Sequence, residues 1–212
     1  MSASRVAVID YGMGNVWSVM NALKYLGAPV DLVGQADELS KYERMVLPGV
    51  GSFRKGMEAL KARALDEAIC SAVHGGKSKI LGICLGMQLL GARGTEDGET
   101  PGLGLIDQTV DRFSLEEVGG NKIPHVGFNT VFLGEPAGLF KGLPERAEFY
   151  FLHSYRMMLD GTRGRVATCR YGVDFLAAFE TGNVCGTQFH PEKSQTNGLL
   201  LLRNFVEKQP RC

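Results

Sequence analysis

In the first hundred residues, short apolar runs alternate with longer segments in which apolar residues recur every three or four positions. The short runs have the length of buried strands and lie at 5–9, 29–33, 44–47 and 79–83. The periodic segments predict amphipathic helices: one begins after Asn15 and ends at Gly27, and another covers 53–69 and stops near Gly75. This alternation predicts an α/β fold, a flavodoxin-like, doubly wound, mostly parallel sheet with helices on both faces.

From Gly102 onward the pattern changes to short β-like runs separated by glycine, proline and asparagine turns. The predicted strands are 103–110, 122–133, 149–157, 165–171, 175–180 and 184–190, and 197–206 predicts a closing helix. These runs predict an antiparallel β extension folded against the first half. Because the loop at 93–102 is too short to separate two cores, we expect residues 1–212 to form a single domain.

Composition narrows the class of protein. The 23 basic and 23 acidic residues balance, so nothing indicates a nucleic-acid or membrane-surface partner. The five cysteines, at 70, 84, 169, 185 and 212, are odd in number and form no C-x-x-C pair, which argues against a disulfide framework and favours a reducing compartment. The sequence contains no signal peptide and no apolar segment of membrane-spanning length, so we expect a cytoplasmic protein.

The most informative segment is 82–86, where Cys84 lies between two glycines, after a strand-like run and before an apolar helix. This spacing predicts a nucleophile elbow, a sharp strand-to-helix turn that exposes a reactive side chain. The sulfur would lie at a helix N-terminus, where the helix dipole favours the thiolate, and the backbone N–H of Leu85 would be an oxyanion donor. The alternative is a small buried cysteine that merely fits between glycines.

His190 is the best candidate base among the four histidines, because it alone has a carboxylate two residues away. If extended backbone continues through Pro191, His190 and Glu192 point to the same side. The carboxylate would set the imidazole tautomer, and the imidazolium would favour a nearby thiolate. We therefore predict a triad of Cys84, His190 and Glu192. His74 is expected to be structural, and His125 to be a hydrogen-bonded, partly buried side chain.

Two other kinds of site are disfavoured. Gly12 and Gly14 follow the first strand as in a dinucleotide-binding turn, but Trp17 occupies the position of the third glycine. No H-x-H, H-E-x-x-H or C-x-x-C pattern is present, so we expect neither a metal nor another cofactor. In 47–51, the glycines permit unusual φ angles that would let the Val50–Gly51 peptide direct its N–H towards Cys84.

At these residues the chain resembles the class I, triad-type glutamine amidotransferases and, within that class, the glutaminase subunits of imidazole glycerol phosphate synthase. Six segments in the same order carry the resemblance: 10–15, 47–51, 82–90, 124–129, 149–155 and 186–194. There are two departures. The family often has Trp where Phe128 stands, and 111–122 does not match.

The resemblance implies hydrolysis of L-glutamine to glutamate and ammonia. It implies that Gly49, Val50 and Gly51 form an oxyanion strand that flips to complete the oxyanion hole. It also implies that the backbone of His153, Ser154 and Tyr155 binds the α-amino and α-carboxylate groups of glutamine. Gln88, one turn after Cys84, is a further candidate for binding this substrate.

The resemblance also implies a partner, a separate (β/α)8 cyclase subunit that forms a heterodimer with this chain. That subunit would use the ammonia to make imidazole glycerol phosphate and an aminoimidazole carboxamide ribotide in histidine biosynthesis. Gly12 and Asn15 would lie on the docking face, and Phe128 and Lys193 are further candidates for the interface. For Lys193, an ordinary solvated lysine is an equal alternative.

Three alternatives remain at this point. A paralogous glutaminase subunit would feed ammonia to a sugar amidotransferase of surface-polysaccharide synthesis, and Phe128 together with 171–175 keeps this option open. A non-catalytic regulatory module with the same fold is disfavoured by the intact triad. A cysteine hydrolase acting on peptides or aldehydes gains no support from 149–155 or 186–194.

Overall fold

A computed structural model describes residues 4–207 of the chain. Five parallel strands form half of a nine-stranded sheet in the order β2-β1-β3-β4-β13. Their bounds are β1 (Val6–Ile9), β2 (Val30–Val33), β3 (Arg44–Gly49), β4 (Lys79–Cys84) and β13 (Val184–Thr187). Every residue of β1 is buried, as expected for a parallel strand covered on both faces. The strand order is that of a flavodoxin-like sheet, which confirms the predicted fold class.

Helices cover both faces of this sheet. On one face lie α1 (Val16–Tyr25) and α5 (Gln195–Val206), whose apolar residues join the core with Val6, Val8 and Val46. On the other face lie α2 (Phe53–Lys61), α3 (Leu65–His74) and α4 (Leu85–Leu89), which pack with Ala7, Ile9 and Met45. The side chains of alternate strand residues therefore pack into the two cores on opposite faces of the sheet.

The predicted antiparallel extension is present, but the run at 184–190 was wrongly assigned to it, because its strand β13 pairs in parallel with β4. Beyond β13 the nine-stranded sheet continues through β12 (Val173–Thr181), β11 (Arg165–Tyr171), β8 (His125–Leu133) and β9 (Arg146–His153), all antiparallel to their neighbours. A second, four-stranded sheet has the order β10-β7-β5-β6 and consists of β5 (Arg93–Gly94), β6 (Thr100–Pro101), β7 (Thr109–Arg112) and β10 (Tyr155–Met157).

The single helix predicted over 53–69 is wrong, because α2 and α3 are separate helices. Ala64, at φ 53°, adopts the left-handed conformation that ends the periodic path between them. A continuous helix from 53 to 74 would be about 33 Å long, whereas the six-residue strands it covers span about 20 Å. The break lets both apolar faces stay on the sheet.

Two predicted strands also differ from the structure. The run at 149–157 is interrupted at Ser154, where the chain leaves β9 in the large sheet and enters β10 in the small one. The run at 103–110 is irregular until β7 begins at Thr109, because Leu103 and Ile106 pack against α4 through loop backbone bonds to Leu89 and Leu90. Within residues 4–207, no helix is long and apolar enough to cross a membrane.

Candidate active site

Cys84 occupies the turn between β4 and α4, at φ 55° and ψ −111°. This conformation is strained for a residue with a side chain and is the one expected of a nucleophile elbow. The two flanking glycines are required by close packing. A Cβ on Gly82 would lie 2.6 Å from the Met87 backbone, and one on Gly86 would lie 1.7 Å from the Leu47 carbonyl oxygen. The local sequence therefore builds the turn that holds the sulfur.

His190 and Glu192 approach the elbow from the end of β13. Glu192 Oε1 accepts a hydrogen bond of 2.8 Å from His190 Nδ1. The assumption that extended backbone brings them together is wrong, because β13 ends at Thr187 and a 3₁₀ turn begins at Pro191. The turn itself folds the carboxylate back onto the imidazole. Ser194 anchors it, since its Oγ donates to the His190 carbonyl at 2.6 Å.

The hydrogen bond between His190 and Glu192 shows which ring nitrogen of His190 carries a hydrogen. Because the Glu192 carboxylate accepts from Nδ1, that nitrogen carries the hydrogen, and Nε2 is left facing the cleft. Nε2 is buried and has no hydrogen bond of ordinary geometry within residues 4–207. Burial lowers the pKa of His190, but interactions with Cys84 and Glu192 outweigh it and raise the pKa to about 9. Cys84 and His190 also line the same cleft, so the sulfur and the imidazole belong to one site.

The glycine-rich segment after β3 borders the sulfur. Val50 is exposed, and Gly51 has a φ of 110°, a left-handed conformation that a residue with a side chain rarely adopts. Gly49 lies deeper, where a Cβ would be 2.4 Å from the Tyr11 hydroxyl and 2.9 Å from the Gly86 nitrogen. Val50 and Gly51 therefore line the site, whereas Gly49 supports it from behind.

Around Cys84 the surface opens into a cleft of about 450 Å³. Nine predicted site residues line it, namely Val50, Gly51, Cys84, Leu85, Gln88, His153, Ser154, Tyr155 and His190. Glu192 stands behind His190 and does not line the cleft. The volume suits a small polar molecule of amino-acid size, and both polar side chains and backbone reach its surface.

The amide nitrogen of Gln88 and both ring nitrogens of His153 already have hydrogen-bond partners within the protein. Gln88 Nε2 donates to the Tyr155 carbonyl and to Gln188 Oε1, each at 2.9 Å. His153 Nδ1 lies 2.8 Å from the Tyr155 carbonyl, and burial lowers the pKa of His153 to about 3. The expectation that His125 is hydrogen-bonded is confirmed: its Nδ1 lies 3.1 Å from His153 Nε2.

Two residues near the nucleophile were missed by sequence analysis. Glu96 lines the cleft, accepts a 2.8 Å hydrogen bond from the Phe53 N–H, and has its pKa raised by burial. It lies in a loop with no periodic signal, so nothing in the sequence pointed to it. Gln188 is fully buried, and its Nε2 lies 3.7 Å from the Cys84 sulfur. The sequence could have indicated Gln188, because this residue precedes the candidate base His190 by two positions.

The predicted interface residues lie on the protein surface. Gly12 is exposed, and Asn15 is the N-cap of α1, accepting from the Ser18 N–H. Phe128 is 49% exposed and its ring meets that of Tyr150 at 5.6 Å. The ammonium group of Lys193 lies 5.7 Å from the same Tyr150 ring, so these last three side chains form one cluster.

No group of three or more His, Cys, Asp or Glu side chains in the described part of the chain is arranged to hold a metal ion. The four cysteines at 70, 84, 169 and 185 are free thiols. The chemistry that this arrangement supports is that of a thiol nucleophile, an adjacent base and a carboxylate that orients the base.

Comparison with known proteins supplies a further line of evidence. The family model described as glutamine amidotransferase class-I matches residues 7–209. Over 202 residues, the chain is 41% identical to imidazole glycerol phosphate synthase subunit HisH 2 of Pseudomonas aeruginosa, covering 95% of this chain and 98% of that protein. It is 44% identical over 203 residues to subunit HisH of Geobacillus kaustophilus, covering 95% of each.

Solved structures agree on the fold. The structure of PurLQS from Thermotoga maritima matches with a TM-score of 0.74 at 20% identity, over 96% of this chain and 98% of that one. A crystal structure of a glutamine amidotransferase matches with a TM-score of 0.73 at 20% identity, over 95% and 96% of the two chains.

Proposed function

Because the chain belongs to the class-I glutamine amidotransferases and, within them, to the HisH subunits of imidazole glycerol phosphate synthase, we propose that it hydrolyses glutamine and delivers the ammonia to a cyclase subunit. The observation that carries the proposal is that Cys84 and His190 line one cleft while Glu192 holds His190 from behind. A strained cysteine at an elbow faces a histidine whose other nitrogen bonds a buried carboxylate at 2.8 Å.

In the proposed reaction, the Cys84 thiolate attacks the side-chain carbonyl carbon of glutamine and forms a tetrahedral oxyanion. The Leu85 N–H and the Val50–Gly51 peptide stabilise that oxyanion. The His190 imidazolium gives its proton to the leaving nitrogen, so ammonia departs and a glutamyl thioester remains. Neutral His190 then takes a proton from water, hydroxide adds to the thioester, and glutamate and the thiolate are released. Glu192 stabilises the imidazolium at each stage.

The cleft also offers partners for the charged end of the substrate. Glutamine carries an ammonium and a carboxylate on its α-carbon. We assign the ammonium to the Glu96 carboxylate, the one acidic side chain among the residues that line the cleft. The backbone of Ser154 and Tyr155, held by the Gln88 and His153 hydrogen bonds, contributes the remaining polar contacts.

Ammonia is useful as a nucleophile only while it stays unprotonated, so release into bulk water would waste it. A cyclase docked over the cleft would receive it directly. The outer face of β8 and β9 beside the cleft is apolar, because Val126, Phe128 and Leu152 are 54%, 49% and 42% exposed. We propose that this face, together with Lys193 and the turn at Gly12 and Asn15, is the docking surface for a (β/α)8 cyclase in a heterodimer. The whole chain would act as one amidotransferase domain.

The turn at 12–15, which was predicted to lie on the docking face, packs against the segment at 48–51 that was predicted to complete the oxyanion hole. These contacts provide a route for regulation. A Cβ on Gly51 would lie 2.7 Å from Met13 Cε, and one on Gly14 would lie 3.3 Å from the Pro48 carbonyl oxygen. A partner that moves the turn at Gly12 therefore moves atoms packed against Val50 and Gly51. We propose that docking and cyclase ligand raise the glutaminase rate by this contact.

The test is glutamate release with and without the cyclase subunit, for the wild type and for Cys84→Ala. We expect slow release by the isolated wild type, a large increase with cyclase and its nucleotide substrate, and at least a thousandfold loss in Cys84→Ala. Equal turnover by Cys84→Ala would overturn the proposed nucleophile, and high turnover without partner would overturn the regulation. Complementation of a histidine auxotroph separates this function from the polysaccharide alternative.

A further inference from the structure

We propose that Gln188 is a positioning residue that presents an amide N–H to the Cys84 sulfur, and that Gln88 sets the direction of that amide. Gln188 is fully buried, and its Nε2 lies 3.7 Å from Cys84 Sγ. Its backbone N–H is bound to the Ala177 carbonyl at 2.8 Å, so the side chain starts from a fixed point on the sheet. The inference rests on the proposed function for its catalytic meaning.

The orientation of the Gln88 and Gln188 side-chain amides follows from the Tyr155 backbone carbonyl, which can accept a hydrogen bond but cannot donate one. A backbone carbonyl can only accept, so the Gln88 atom that lies 2.9 Å from the Tyr155 carbonyl must be the nitrogen. The same nitrogen lies 2.9 Å from the Gln188 side chain, which must therefore offer its oxygen there. The Gln188 nitrogen is consequently the atom that faces Cys84.

The Tyr155 carbonyl is itself fixed by a second run of hydrogen bonds. It lies 2.8 Å from His153 Nδ1, which must donate, so His153 Nε2 accepts from His125 Nδ1 at 3.1 Å. His125 Nε2 then accepts from the Asn129 amide at 3.2 Å, and that amide also donates to the Arg170 carbonyl at 3.3 Å. Because backbone carbonyls, which can only accept, stand at both ends, each hydrogen bond from the Asn129 amide through His125 and His153 donates towards the Tyr155 carbonyl.

This direction matters because an N–H beside sulfur favours the thiolate over the thiol. A charged acceptor gains more from a hydrogen bond than a neutral one does. On another side of the sulfur, the Leu152 carbonyl lies 3.8 Å away and can accept from the thiol alone. Gln188 therefore acts on the nucleophile through a hydrogen bond of its own, separate from the interaction of Cys84 with His190.

The test is the pH dependence of Cys84 alkylation by iodoacetamide, followed at the Cys84 peptide by mass spectrometry on the full chain. Gln188→Met keeps the length of the side chain and removes the donor. We expect its alkylation midpoint to rise by about one pH unit, with a roughly tenfold slower rate on the acidic side. The control is Gln108→Met, a buried glutamine whose amide donates to the Asp160 carbonyl at 3.1 Å. It should leave the midpoint unchanged.

A folded Gln188→Met protein with the wild-type midpoint would overturn the proposal. If that variant does not fold, Gln88→Met decides, because it frees the Gln188 amide and should move the midpoint in the same direction. Alkylation needs no glutamine, so this outcome is separate from the failure of glutamate release that would refute the proposed function.

A second measurement needs no substitution. Nitrogen-15 spectra of histidine-labelled protein should show both His125 and His153 as neutral Nδ1–H tautomers at pH 7. The expectation of neutrality agrees with burial, which lowers the pKa of His125 to about 4. An Nε2–H tautomer at His153 would leave Nδ1 without a proton to donate, so the Tyr155 carbonyl would not be held as described and the fixed acceptor for the Gln88 amide would be lost.

Discussion

At the scale of single residues, His190 is held on one side and free on the other. Its Nδ1 is bound to Glu192, its backbone N–H donates to the Tyr150 carbonyl at 2.9 Å, and its carbonyl accepts from Ser194. Only Nε2 remains for the proposed exchange of protons with Cys84. A general base needs this asymmetry, because a ring that could rotate would spend part of its time with the wrong nitrogen at the sulfur.

Replacing Glu192 by Gln should lower glutaminase kcat by about a hundredfold or more, yet less than Cys84→Ala does. The raised pKa of His190 means that its proton is held below about pH 9 and lost above it. Wild-type activity should therefore fall progressively above about pH 9, as the imidazolium that protonates the leaving nitrogen is lost. In Glu192→Gln this fall should begin at lower pH, because one of the groups that raise the pKa is gone.

The measurement is kcat/KM from pH 6 to 10.5 in the presence of the cyclase subunit. Glu58→Gln, at an exposed position on α2, is the control and should reproduce the wild-type profile. An unchanged alkaline limb in Glu192→Gln would mean that the carboxylate does not act on His190.

At the scale of elements, the site depends on how closely β3, β4 and α4 pack. Strand residues Leu47 and Gly82 lie directly opposite each other in the parallel register, and the first turn of α4 rests on both. Small residues are required there because backbone meets backbone, and no side chain is available to move aside. The same contact sets the height of Cys84 above the sheet.

Gly86→Ala should therefore destabilise the fold by at least about 3 kcal/mol, since its methyl group would overlap the Leu47 carbonyl. Gly27→Ala is the matched control. Gly27 follows α1 at φ 75° with no atom within 4 Å of the added methyl, so only backbone strain of about 1–2 kcal/mol is expected. Urea unfolding of both variants compares the two costs. Equal costs would show that the close approach at the elbow is not tight.

At the scale of the whole molecule, the cleft and the proposed docking surface belong to one continuous region. Leu152 lines the cleft and pairs with Val126 across β8 and β9, and Phe128 pairs with Tyr150 one step further from it. Exposed apolar residues clustered beside an active cleft are typical of a surface that a partner covers. The departure from Trp at position 128 keeps an aromatic ring there.

Phe128→Glu should weaken binding of the cyclase subunit at least tenfold and reduce the partner-dependent increase in glutamate release. Phe132→Glu is a demanding control, because Phe132 is also on β8, is 41% exposed, and pairs with Arg146 further along the strand. It should bind nearly as the wild type does. Calorimetric titration with the cyclase measures both affinities, and equal losses would place the docking surface elsewhere.

The two halves of the chain differ in how well their structure could be predicted from the sequence. Most of the parallel half was predictable because its strands and helices carry their own local patterns, although the break between α2 and α3 was not predicted. The antiparallel half was predicted only in outline, because short strands have weak patterns and the break at Ser154 depends on which sheet each side joins. Among the residues that line the cleft, Cys84 and His190 were predicted from local spacing, whereas Glu96 was not, because a loop carboxylate has no local signature.

The sequence by itself determined the alternation of elements, the glycines that let a strained cysteine turn exist, and the nearness of a carboxylate to the candidate base. These are local properties, set by backbone sterics and by short separations along the chain. Only the tertiary structure decided that the 3₁₀ turn after Pro191, and not extended backbone, carries Glu192 to His190. It alone also joined Gln188 to Cys84, 104 positions apart, because neighbouring strands of a sheet bring distant residues together.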